Sequence, residues 1–192
     1  MDAAEPTAAH DAAPTPPLCA ECAAAGDVFK CVVAGHAACV VFFLRGDPAL
    51  VRATNPMGRT PLHVAALQCN AELLAALLRG GAAVGAKDAF GTQPLHCAAT
   101  AGSDACVQLL LAAGANANAT STSGNTPLHA AAQANRPDAV LALGRGGADL
   151  DLHNKQGRSA VQVAGINKFA DALAAFKSLG REPDYTAVCG FG

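Results

Sequence analysis

The sequence predicts an all-α solenoid of about five stacked helix pairs joined by short connecting fingers. Three observations predict it. First, "GRTPLH" at 58–63 returns as "GTQPLH" at 91–96 and "GNTPLH" at 124–129, so that Gly58, Gly91 and Gly124 stand 33 residues apart. A fixed period of that length is the mark of a repeat architecture. Second, the 192 residues are 52% hydrophobic, but much of that is alanine; aromatic residues are 4% and tryptophan is absent. Such a composition suits helices packed closely on small side chains and lacks the bulk of a large β-core. Third, a helix start, a helical apolar face and a glycine stop recur in phase along the chain.

The first unit, 26–57, reads "VFKCVVAGHAACVVFFLRGDPALV" at its centre, with Gly35-His36 between two short apolar runs and Val40, Phe43 and Leu44 on the second. It lacks the Thr-Pro-Leu-His start. The second unit, 58–90, opens on Thr60, whose oxygen can accept from an orphan helix N–H, with Pro61 where no donor is needed. Ala65-Ala66 leaves little side chain, so a second helix can approach closely. That helix carries Leu73, Leu74, Leu77 and Leu78 on one face and ends at Gly81, where a left-handed residue is easiest for glycine. The third unit, 91–123, repeats the scheme with Ala98-Ala99, then Cys106, Val107, Leu110 and Leu111, then Gly114. In the fourth, 124–156, Thr126-Pro127 starts the first helix, Ala131-Ala132 follows, Val140 and Leu143 face inward, and Gly147 stops the second. The fifth, 157–180, has Ser159-Ala160-Val161-Gln162 where the others have Thr-Pro-Leu-His. Weakened first and last units are expected, because end repeats expose one face to water.

These recurring pieces closely resemble ankyrin repeats, over about residues 26–180. The resemblance implies a helix–turn–helix unit with a finger loop, and a role in binding other proteins. It further implies that partner contacts lie at the finger tips on either side of the glycine and at the end of each first helix. Carried over residue by residue, those positions are Met57, Arg59, Leu67 and Gln68; Phe90, Thr92, Thr100 and Ala101; Ser123, Asn125, Gln133 and Ala134; and Gln156, Arg158, Ile166 and Asn167. Met57, Leu67 and Phe90 are large apolar residues where a solvated finger or helix end would ordinarily be polar, and clustered they would form anchors.

His63, His96 and His129 invite a catalytic or metal reading. Stacked helices place equivalent atoms roughly 8–10 Å apart, whereas ligands of one zinc lie within about 4 Å of one another. None of the three has a Ser, Cys or carboxylate at a fixed offset that would make it a general base. They are expected to be structural, each imidazole hydrogen-bonding backbone at a turn. A sharper metal candidate is Cys19-x-x-Cys22 with Cys31, His36 and Cys39. Its first half is sound for zinc, but the repeat alignment puts Cys31 and Cys39 at buried apolar positions, so an N-terminal zinc module appended to the solenoid is the alternative reading. Cys97 falls at a variable position open to exposure, and Cys69 replaces the usual inter-helix glycine. The "GRGG" at 144–147 lacks the lysine and hydroxyl of a phosphate-binding loop. No cofactor and no catalytic constellation is expected, so the chain is not read as an enzyme.

Thirteen basic against fifteen acidic residues leave a net charge of −2, which gives no electrostatic case for nucleic acid. The stretch 136–181 carries more Lys and Arg than Asp and Glu, as on a solvated helical face. The most apolar run, Val28 to Leu44, is interrupted by Lys30 and His36 and falls short of the ~20 residues of a membrane span. With no secretory pattern at the start, the expectation is a soluble cytoplasmic protein with reduced thiols and one or more protein partners. Residues 1–25 read as a flexible Ala/Pro-rich arm and 181–192 as a tail in which Tyr185, Val188 and Phe191 could cover the last repeat. The expected function is non-catalytic protein binding, as an adaptor or scaffold or as a subunit of a larger assembly, a cytoskeletal one included.

Overall fold

A computed structural model describes residues 28–181. Among them, ten α-helices follow in pairs: α1 (Val28–Val33) and α2 (Ala37–Gly46), α3 (Pro61–Leu67) and α4 (Ala71–Arg79), α5 (Pro94–Ala101) and α6 (Asp104–Ala112), α7 (Pro127–Gln133) and α8 (Pro137–Arg145), α9 (Ala160–Ile166) and α10 (Ala170–Ser178). A 3-10 turn, Pro48–Arg52, follows α2. No strand forms among the described residues, only a single bridge between His153 and Ser159. First helices pack on first helices and second on second, so each pair touches chiefly its neighbours in sequence. The fold is an all-α repeat solenoid. Cys19, Cys22 and the tail residues Tyr185, Val188, Cys189 and Phe191 lie outside the described residues.

Each local feature has a cause in the chain. Pro61, Pro94 and Pro127 take the first helical position, where a missing N–H costs nothing. The turn within each pair needs one residue in the left-handed region, filled by Gly35, Cys69, Gly102, Asn135 and Lys168 at φ between +51° and +86°. The helices they join are held across units by side chains: Gln68 Nε2 donates to Val33 O at 2.7 Å, and Arg136 Nε to Thr100 O at 3.1 Å. Asn135 accepts from Ala172 N through Oδ1.

The core is one continuous cluster from Val28 to Phe176. The alanine pairs Ala65-Ala66, Ala98-Ala99 and Ala131-Ala132 are wholly buried, as are Leu73, Leu74, Leu77, Leu110 and Leu143. Cys31 and Cys39 are buried in the first unit. Cys97 is buried as well, 5% exposed, contrary to the exposure its variable position suggested. It stands where the adjacent units have the half-buried Val64 and Ala130. Gly144 and Gly146 are packing residues, whereas Gly147 sits in the left-handed region with open space around it. A Cβ on Gly146 would come within 2.4 Å of Leu111 Cδ1, and one on Gly144 within 2.5 Å of Leu179 Cδ1.

Candidate binding groove

The three histidines act as struts between units. His63 is wholly buried, and its Nδ1 accepts from the Thr60 backbone N–H at 3.1 Å, the first turn of its own helix. That leaves the proton on Nε2, which donates to Thr92 O in the next finger at 3.0 Å. His96 repeats the pattern from Gln93 N–H to Asn125 O, and His129 from Thr126 N–H to Arg158 O. Burial pushes all three imidazoles below the ordinary histidine value, against the opposing pull of those carbonyls. In the fifth unit Gln162 Oε1 accepts from Ser159 N–H at 2.9 Å, making the first half of the strut. Among the described residues no further finger follows for it to reach.

The fingers are built on a second set of residues with the same period, which the motif reading passed over. Asn55 Oδ1 accepts from the backbone N–H groups of Met57 and Arg59. Asp88 Oδ1 does so for Phe90 and Thr92, and Asn154 Oδ1 for Gln156 and Arg158. Ser121 Oγ accepts from Asn125 N. Successive fingers are then laced by backbone bonds, Ala89 N to Met57 O, Thr122 N to Phe90 O and Lys155 N to Ser123 O, at 3.0–3.1 Å. Asp88 also pairs with Arg59 Nε at 3.4 Å through its other oxygen. Its burial opposes ionisation, but hydrogen bonds from Thr92, Phe90 and Arg59 prevail and hold the carboxyl below its usual value. The signal in the sequence was an Asx or Ser residue at 55, 88, 121 and 154, three before each finger glycine.

Between the second and third fingers and the ends of α3, α5 and α7 lies a groove of about 390 Å³. Arg59, Leu67, Phe90, Thr92, Thr100, Ser123, Asn125 and Gln133 all line it. Phe90 stands on its edge 58% exposed, and Leu67 is half-buried in its wall. Ser121 and Thr122 add hydroxyls to the rim; Thr122 Oγ1 donates to Phe90 O at 2.8 Å. The structure thus brings Leu67 and Phe90 together but not Met57, which is exposed on the neighbouring finger outside the groove. Gln68, Gln156 and Arg158 are exposed and likewise outside it. Cys97 and His96 form part of the wall. Burial pushes the Cys97 thiol up to about 12, so it is a neutral, unreactive sulfur near neutral pH. Both His96 ring nitrogens are engaged. The groove offers apolar area, hydroxyls and amides, and one guanidinium already half-occupied by Asp88.

A family model described as ankyrin repeats, in three copies, matches residues 68–154 and 95–187, well over half of the chain. No curated protein matches it.

Proposed function

The chain belongs to the ankyrin-repeat family, and on that footing we propose that it is a non-catalytic binding module whose finger-side groove receives another protein. Ankyrin repeats are in general protein–protein interaction modules, and proteins built from them are typically non-catalytic. The observation that supports this site over others is the joining of Leu67 and exposed Phe90 in one groove rimmed by Thr92, Thr100, Ser123, Asn125 and Gln133. Large apolar anchors inside a rim of polar groups are how such contacts concentrate their energy. The chain serves as an adaptor or scaffold, or as a fixed subunit of a larger assembly. No helix among the described residues is long and apolar enough to cross a membrane.

The test begins with affinity purification and mass spectrometry to obtain a stoichiometric partner. Phe90→Ala and Leu67→Ala each weaken its binding by on the order of 1–3 kcal/mol, with helicity unchanged. Met57→Ala, outside the groove, has a smaller effect. If both groove variants bind as tightly as the native chain, the partner sits elsewhere.

A further inference from the structure

A second apolar trough runs between α2 and α4, on the side of the second helices. Two cavities of about 240 and 290 Å³ share Val41, Arg45, Ala76 and Arg79. Phe42 lines one of them with 36% of its surface exposed. The trough exists because Ala38, Ala76 and Gly80 supply almost no side chain along its length. A Cβ on Gly80 would come within 3.0 Å of Leu44 Cδ1, so Leu44 would have to shift to admit one. Arg45 and Arg79 line both cavities, and neither is paired with a carboxylate among the described residues; Arg79 Nε reaches only Ala75 O, at 3.4 Å. Each arginine lies in the last turn of its helix, where a cation complements the terminal carbonyls. That accounts for a charge on each helix, but it gives no role to an exposed phenylalanine and an apolar bed beside them. The next second helix, α6, contains no Lys or Arg, so the pairing of two guanidiniums over an apolar trough does not recur there.

We propose that this trough is a second docking surface, independent of the finger groove, for a partner segment carrying an apolar side chain next to carboxylates. The apolar side chain enters the bed beside Phe42 and Val41. The carboxylates meet Arg45 and Arg79, whose planar forks match a carboxylate with two hydrogen bonds each. Charge complementarity selects this occupant. A basic segment is repelled by the two guanidiniums, and a purely apolar one would strip water from them without replacing it. Glu72, which lines only the first cavity, disfavours a second acidic group there.

The test pans the full chain against a random-peptide library, then measures the selected peptides by fluorescence anisotropy. A class of binders is expected in which Leu or Phe neighbours Asp or Glu. Its affinity falls roughly tenfold or more in Phe42→Ala and in the Arg45→Glu/Arg79→Glu double variant, and is unchanged in Phe90→Ala. Exchanging the peptide's acids for lysine restores binding to the double variant. Because both arginines are exposed, the variants keep the native circular dichroism, and Arg45→Gln/Arg79→Gln gives the same loss without charge reversal. The proposal is overturned if every selected peptide loses binding in Phe90→Ala, if none is acidic, or if the double variant binds as well as the native chain.

Discussion

At the scale of single residues, the histidines carry more of the structure than their number suggests. Each satisfies a helix-start N–H on one side and a finger carbonyl of the next unit on the other, inside a buried site. His96→Ala leaves the Gln93 N–H without its partner and the Asn125 carbonyl with only the Ser121 N–H, and a cost on the order of 1–3 kcal/mol is expected in urea unfolding. Their titration follows from the same geometry. Burial holds the folded-state values below the unfolded value of about 6.5. The unfolded chain therefore binds the extra protons, and the stability these residues contribute is complete above that value and lost as pH falls below it. Each adds up to about 1.4 kcal/mol per pH unit to the slope. His129→Gln, which keeps the cap as Gln162 does, should flatten that slope by one histidine's share. An unchanged slope between about pH 7 and 5.5 would contradict the strut assignment. The 33-residue spacing of the histidines argued in the sequence against a common metal, but the backbone groups each ring engages were not legible there. Cys97 is buried where the equivalent Val64 and Ala130 are only half-buried, a difference that the repeat alignment does not carry.

At the scale of elements, the helix pairs were plain in the sequence, since proline, alanine pairs, spaced apolar residues and glycines each serve one local need in the three central units. The finger bonds were not, because Asn55, Asp88, Ser121 and Asn154 do the same work with three different side chains. The turn within each pair gives a prediction of opposite signs. Cys69 stands at φ +56° and Gly102 at φ +86°. Gly102→Ala places a Cβ in the left-handed region and within 2.6 Å of Arg136 Cδ, and should destabilise by about 1–2 kcal/mol. Cys69→Gly relieves the same strain at an exposed site and should be neutral or stabilising by a few tenths of a kcal/mol to about 1. Thermal melts of the two variants, read against the native chain, check both signs.

At the scale of the whole molecule, a stack whose units touch mainly their neighbours distributes stability along one dimension. Leu110→Ala, in the wholly buried centre of the third unit, should cost about 2–5 kcal/mol and lower the unfolding of the whole array together. Phe176→Ala removes a comparably buried anchor at one end. It should loosen the last pair first, seen as early loss of amide protection confined to α9 and α10. The trough between α2 and α4 was invisible in the sequence, because it depends on what Ala38, Ala76 and Gly80 fail to fill once two helices are side by side. Residues of the finger groove were named by resemblance, yet only packing could separate Leu67 and Phe90 from Met57. The groove's assignment as the partner site is tested most directly by hydrogen–deuterium exchange of the full chain with and without its purified partner. Protection is expected across residues 88–93 and 121–126 and at the ends of α3, α5 and α7. Protection that spares both fingers and those helix ends would contradict it.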